Sequence, residues 1–390
     1  MFSKITKSNH PKYFTDSRKI RILISLHDLF FFFRKKPLYP PEKVTSILVC
    51  NWASFGDVFL STAILAPLKK KWPDVRIDFL TSPASKIVIE NHPLINKIYT
   101  TINWKPQNSD FSLLCRLGIF LKHLITSNAP LLKEINVNQY DLAIDLNPFF
   151  PNCCYSLLRK TNIPYLLEFS SAGCYSPFSC AIDFPEKLGY LPKMYSFLLQ
   201  KLNIPPSPLK PSLSFLETSP LKNYIVLHMG TKEIQKEWPI SQWKILAHKL
   251  SCKKFTLVFT GKGEREQKAI QEISSSLPNT INLCDELNWN EFVSVLKEAR
   301  AIISVDTVTI HLAAAFDIPI LGLYFATKHI ELWMPDYGKT HFLVQATPHI
   351  YLSNPSFLKD RSDVTVLGSI TPHDVYSCFK NLCSLSSAIS

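Results

Sequence analysis

From residue 44 onward the chain alternates short, uniformly apolar runs with longer stretches whose apolar residues recur every three or four positions. Ile47-Leu-Val-Cys50 reads as a buried strand. Residues 58–70 (VFLSTAILAPLKK) carry the helical period with Pro67 as a local disturbance, and Arg76-Ile-Asp-Phe-Leu80 reads as a second strand. Strand, helix and strand within about 35 residues make a βαβ unit, whose strands run parallel. Tyr140–Asp145 is a further strand candidate. The stretch 147–192, dense in Pro, Cys and aromatic residues, predicts no clear element. The second half alternates more sharply: strand Tyr224–Leu227, helix 241–251, strand Phe255–Thr260, helix 264–276, a strand near Ile281–Leu283, helix 290–299, strand Ala301–Val305, a helix from about 309 and strand Pro319–Tyr324.

Between the two halves, residues 204–212 (IPPSPLKPS) hold four prolines, which oppose regular structure and suit a semi-rigid connector. The expected class is therefore α/β, with two Rossmann-like domains facing a cleft. The predicted organisation is a basic arm at 1–43, a first domain at 44–204, a Pro-rich linker at 205–217, a second domain at 218–350, and a tail at 351–390 with a helix packing back on the body. In such sheets ligands bind beyond the carboxyl ends of the strands, so residues just after strands are the ones to inspect.

Length and composition fit this picture: 390 residues exceed what a single core serves. Glycine changes it, because 10 of 390 is far below the usual share of about 7%. No spacing among the ten makes a GxGxxG, a GxxxxGK[ST] or a GxSxG, which disfavours dinucleotide dehydrogenases, P-loop NTPases and α/β-hydrolases. Ten cysteines include no CxxC pair and no zinc spacing, so buried free thiols in a reducing cytosol are expected and no metal or cofactor is implied.

The net charge of +12 suggests a polyanionic partner, and its distribution narrows the choice. Residues 1–43 carry ten Lys/Arg against three acids, a local excess of +7 that leaves +5 for the rest. The body lacks a basic, aromatic-interleaved face, which argues against nucleic acid. Within the arm, IRILISLHDLFFFF at 20–33 is too short for a bilayer span and lacks a cleavage site. As a helix it sets Ile22, Leu26, Leu29, Phe30 and Phe33 on one face, beside the basic cluster Arg34-Lys-Lys36. An anionic membrane surface meeting residues 1–38 and docking on the protein's own body are equally good readings of that amphipathic segment.

Three strand-end segments carry candidate chemistry. Asn51-Trp-Ala-Ser-Phe-Gly-Asp57 follows the first strand and places Asp57 at a helix start. Taken alone, Asp57 reads more readily as a helix cap than as a carboxylate that accepts a hydroxyl proton. After the first strand of the second half, Gly230 and Thr231 offer an amide and a hydroxyl to a phosphate, with Lys232 and Lys236 as charge. Most specific is the buried run Ala301–Val305 followed by Asp306-Thr-Val-Thr-Ile-His311 and an Ala-rich helix. The helix amides, the Thr307 and Thr309 hydroxyls and His311 together suit a diphosphate or sugar phosphate.

The segments ILVCNWASFGDVFLSTAILAPLKKKWPDVRIDFLT, LHMGTKEIQKEWPISQWKILAHKL and ISVDTVTIHLAAAFDIPILGLYFAT, in this order and spacing over roughly residues 45–340, resemble glycosyltransferase family nine, the ADP-heptose:lipopolysaccharide heptosyltransferases. The resemblance implies a GT-B fold and a metal-independent, inverting transfer of heptose to a lipid A–core acceptor. It places the enzyme in the cytoplasm, peripheral on the inner membrane's cytoplasmic face. Its partners are then a nucleotide-sugar donor, ADP-heptose, held by the second domain, and a lipid-linked sugar acceptor met by the first. By the same resemblance Asp57 is the base, and Lys236 meets the donor phosphates. Thr231 stands within a residue of a phosphate-contacting threonine, and Asp306, Thr307 and His311 match the donor motif. Glu264 matches an acidic residue for the nucleoside, with Glu266 competing, and Leu287 lines the adenine pocket.

The chain departs from the family pattern at Val308-Thr309, where glycine is usual, and at Phe325-Ala-Thr327, where Gly-Pro-Thr is common. A Val at positive φ would be strained, so a reshaped donor site is expected. The alternatives are a transferase of this fold with another nucleotide sugar or acceptor, and a catalytically silent, membrane-associated paralogue.

Overall fold

Every strand pairing among the described residues is parallel, in two separate six-stranded sheets. The structure, a computed structural model, describes residues 41–101, 129–147, 153–169, 180–182, 185, 188–214, 218–232, 236–252, 255–325, 330–345, 367 and 369–385. The segment expected to be an amphipathic helix, with the rest of residues 1–40, lies outside the described residues, as do Ala326-Thr327, the end of the linker and much of 147–192. The chain divides into two units, Met1–Ser214 and Phe215–Ser390.

In the first unit β1 (Ser46–Cys50), β2 (Arg76–Thr81), β3 (Lys97–Thr100), β4 (Leu142–Asp145), β5 (Tyr165–Phe169) and β6 (Cys180–Ile182) lie in the order β3-β2-β1-β4-β5-β6. In the second, β7 (Tyr224–His228), β8 (Thr256–Thr260), β9 (Thr280–Asn282), β10 (Ala301–Val305), β11 (Ile320–Phe325) and β12 (Thr340–Gln345) lie in the order β12-β11-β10-β7-β8-β9. Both orders reverse beside the first strand of the sheet. The crevices between the loops after β1 and β4, and after β7 and β10, are thus topological switch points, where ligands settle in open α/β sheets.

Strands covered by helices on both faces read as continuous apolar runs, and β1, β5, β10 and β11 are buried throughout. Helices α1 (Phe55–Ser61), α2 (Leu65–Lys71), α3 (Ala129–Val137), α4 (Cys153–Lys160) and α5 (Leu191–Gln200) belong to the first unit. The second has α6 (Ile240–Ser251), α7 (Glu264–Ser274), α8 (Trp289–Lys297), α9 (Val308–Ala315) and α10 (Pro372–Leu385). The helix expected over 58–70 is instead α1 and α2, joined by a 3₁₀ turn at Thr62–Ile64. Pro67 has no N–H for the carbonyl four residues back, and the tighter turn absorbs the lost bond. The strand expected from Tyr140 begins at Leu142, because the Asp141 carboxylate turns back to accept from the Thr45 and Ser46 amides at 2.7 and 3.0 Å.

Helix starts are built locally. At α8, Asn288 Oδ1 accepts from the Asn290 and Glu291 amides while Glu291 accepts from the Asn288 amide, a closed capping box. At α7 the cap is Gly263, held at φ +96°, with its N–H on the Asp285 carboxylate. The core of the second unit takes in Val375, Phe379 and Leu382 of α10, and Trp238 donates its ring N–H to the Ile370 carbonyl at 2.8 Å. Cys50 and Cys284 are buried free thiols, whereas Cys252 is exposed. Among the described residues no helix is long and apolar enough to cross a membrane.

Candidate active site

Beyond β1 the chain reaches α1 through Asn51-Trp-Ala-Ser54, and all four amides of this loop are committed. Asn51 N–H donates to the Leu80 carbonyl, Trp52 N–H to Asn147 Oδ1, Ala53 N–H to Asn51 Oδ1 and Ser54 N–H to Asp57 Oδ2, at 2.8 to 3.1 Å. Such a loop has no amide left for a phosphate, unlike the usual first turn of a dinucleotide fold. Asp57 is half-buried and occupies the third helical position, with Ser54 as the cap; it reinforces a capping box and is not the cap itself.

The Asp57 carbonyl accepts from Asn51 Nδ2 and Ser61 Oγ, which ties the carboxylate's backbone to the strand end. Buried Asp145, at the end of β4, accepts from the amide and side chain of Asn147. Burial, together with the charges of Asp57 and Asp145, holds the Tyr195 phenol far above its ordinary value, so it stays protonated.

The switch point of the second unit is polar in a different way. Lys236 Nζ lies 2.9 Å from Asp306 Oδ2, joining the segment after β7 to the end of β10, and both side chains are mostly buried. Asp306 leads into Thr307, the extended cap of α9, so the helix's positive end opens beside the lysine. His311, on the first turn, is 4% exposed; burial and then the Lys236 charge hold it down to about 3, which makes it a neutral imidazole. Val308 is the first residue of α9 and is not among the residues at positive φ, so the strain expected there does not arise. The Thr309 hydroxyl is buried and lacks a hydrogen-bond partner among the described residues.

Thr231, also buried, connects to this site through α7. Arg265 donates to the Thr231 carbonyl at 3.2 Å and pairs with Glu237. Glu266 accepts from the Lys262 amide at 2.7 Å and from the Thr231 amide, and burial raises its carboxyl above the ordinary range. Gly230 and Gly261 make the space: a Cβ on either would stand 2.0 or 2.5 Å from Glu266 Oε2.

The structure therefore gathers Lys236, Asp306, Thr307 and His311, with Thr231 bridged to Glu266. Glu264 is not among them; its side chain is 82% exposed and pairs with Lys268 one turn on. Leu287 is half-buried on the connection from β9 to α8, and Lys232 is exposed. His228, which sequence reasoning passed over, closes β7 with Nδ1 2.9 Å from Thr260 Oγ1 and its ring 5.5 Å from Phe292. Among the described residues no three His, Cys, Asp or Glu side chains are grouped to hold a metal ion.

Residues 129–349, more than half of the chain, match glycosyltransferase family 9 (heptosyltransferase). The chain belongs to this family. Lipopolysaccharide heptosyltransferase 3 of Escherichia coli is 24% identical over 298 residues, covering 72% of this chain and 83% of that protein. The crystal structure of the family 9 glycosyltransferase from Veillonella parvula superposes with a TM-score of 0.69 at 18% identity, over 90% of this chain and all of that one. E. coli heptosyltransferase WaaC with ADP-2-deoxy-2-fluoro heptose gives 0.65 at 16% identity, over 86% and 99%. The fold is accordingly GT-B, and the activity class of the family is glycosyl transfer.

Proposed function

We propose that this family 9 enzyme moves a heptose from ADP-heptose to a sugar hydroxyl of a lipid A–core acceptor, with inversion. The observation that carries the reading is the contrast between the two switch points. The loop before Asp57 has spent its amides and presents a carboxylate, which suits a neutral hydroxyl. The other crevice presents Lys236, a helix start and hydroxyls, which suit a diphosphate. Residues 44–204 then form the acceptor domain and 218–350 the donor domain, joined by 205–217.

In this account Asp57 takes the proton of the acceptor hydroxyl as its oxygen attacks the anomeric carbon, on the side opposite the diphosphate. The bond from that carbon to the diphosphate oxygen breaks, and the charge that leaves is met by Lys236, the first amides of α9 and the Thr231 and Thr307 hydroxyls. Asp306 keeps the lysine oriented before the nucleotide arrives, and His311, neutral, acts by hydrogen bonding and not by charge. Glu266 is better placed than Glu264 to accept from nucleoside hydroxyls, with Leu287 against the base. These groups supply the charge stabilisation without a metal. The ADP-heptose analogue held by WaaC supports the choice of donor. The basic arm, residues 1–38, would keep the enzyme on the cytoplasmic face of the inner membrane, where its acceptor lipid lies.

A different nucleotide sugar is the second reading, favoured by the β-branched Val308 at the first position of α9, where the family usually has glycine. Thermal unfolding with ADP, UDP and GDP separates the two. ADP at 100 times its Kd should add about 2.7 kcal/mol of stability. Preference for another nucleotide would overturn the donor, and no response to any would point to a silent paralogue.

A further inference from the structure

Trp52 stands two residues past β1, at the carboxyl end of the first sheet and in the loop that leads to Asp57. The residue is half-buried and packs against the cluster containing Leu48, Cys50, Leu80 and Leu158. Its Nε1–H donates to the Thr101 carbonyl at 2.6 Å, just past β3, and its backbone N–H donates to Asn147 Oδ1 at 2.8 Å, just past β4. Asn147 is itself fixed on the buried Asp145 carboxylate. The next peptide is tied down as well, with the Ala53 N–H on Asn51 Oδ1 and the Ala53 carbonyl accepting from Ser85 Oγ at 2.9 Å.

Two neighbouring strand ends thus fix Trp52, the one after β3 through its ring N–H and the one after β4 through its backbone N–H. A tryptophan whose ring N–H is already satisfied offers a ligand only its flat, electron-rich carbon surface. Such a surface complements the C–H-bearing face of a pyranose ring, and its orientation is prepaid, so little conformational entropy is lost on contact. A nucleotide is a poorer occupant, because the same loop has no free amide for its phosphates.

We infer that Trp52 is the stacking platform of an acceptor-sugar subsite beside Asp57, with Asn147 and the Thr101 carbonyl as its positioning groups. This rests on the reading of the first unit as the acceptor domain.

The test uses the full-length protein, ADP-heptose and de-O-acylated lipopolysaccharide from a strain that makes no heptose. Trp52→Ala should raise the acceptor KM by about tenfold or more, as loss of one aromatic contact implies. The Kd for ADP and kcat at saturating acceptor should stay within about threefold of wild type, because the platform binds and does not react. Asn147→Ala, which releases the Trp52 backbone N–H while the ring N–H stays on the Thr101 carbonyl, should raise the same KM by less. Should Trp52→Ala fail to fold, Trp52→Phe keeps most of the apolar area and should show an intermediate KM. Acceptor titration of the Asp57→Asn protein should change tryptophan fluorescence, and the change should be lost when Trp52→Phe is added. An unchanged acceptor KM in a folded Trp52→Ala protein, or an equal loss of ADP affinity, would overturn the subsite and leave the Asp57 account standing. No binding of this acceptor by the wild type would overturn both.

Discussion

Lys236 Nζ and Asp306 Oδ2 meet at 2.9 Å across the crevice at which the second sheet reverses its order, although 70 positions separate them in the chain. The carboxylate holds a partly buried ammonium in place where the start of α9 adds its own positive end.

Replacement of Lys236 by Ala should weaken ADP binding by about 10- to 100-fold, since a hydrogen bond to a charged group contributes about 1.5–3 kcal/mol. Lys232→Ala, at an exposed position, should change it by less than about twofold, as surface charges contribute little. Isothermal titration of both variants with ADP checks the contrast. Equal losses would mean that the crevice acts only through its overall charge.

Three histidines set a pH dependence. Burial holds His92 at about 4 in the first unit, and His228 at about 4 and His311 at about 3 in the second, all well below the value near 6.5 of an unfolded chain. Between pH 6.5 and 5 the unfolded chain therefore binds protons that the folded protein does not. Stability should fall as the pH is lowered through this window, by up to about 1.4 kcal/mol per pH unit for each histidine. Denaturant midpoints of the wild type and of His311→Gln measure the slope, which the variant should reduce. A flat profile would mean that these rings can take up protons while folded.

Gly230→Ala should leave the fold intact and damage nucleotide binding. Its Cβ would stand 2.0 Å from Glu266 Oε2, and the flexible carboxylate can swing away more easily than the backbone can move. The Thr231 and Lys262 amides would then lose their acceptor. Circular dichroism near that of the wild type with a raised Kd for ADP is the expected result, and Glu266→Ala should show a similar loss. An unaffected Kd in both would remove Glu266 from the nucleotide site.

Much of this arrangement was readable before the structure. The apolar runs at Ile47–Cys50 and Ala301–Val305 could only be buried strands, and the polar residues placed after them could only be at sheet ends. Asp306 and His311 stand out in the sequence because a strand stop and a helix start are local signals. The pairing of Lys236 with Asp306 was not local and required the sheet order. Strand β5 was missed because Glu168 interrupts its apolar run; the structure answers it with Arg159 from α4, 2.7 Å away and equally buried. No periodicity announces a buried ion pair between two short elements. The family resemblance points to Glu264, with Glu266 competing, because both follow the Gly-Lys-Gly turn closely; only the packing against Gly230 and Gly261 shows that Glu266 is the one that faces inward.

Asp57 is the proposed base, and one substitution tests that role. Asp57→Asn keeps the size of the side chain and an oxygen to accept the Ser54 amide, so the capping box and the fold should survive. Single-turnover transfer from ADP-heptose to heptose-free lipopolysaccharide is the measurement, with ADP affinity taken on the same protein. The expected result is a rate lower by about 100-fold or more, as for removal of a general base, with the Kd for ADP unchanged. A rate near that of the wild type would contradict the account.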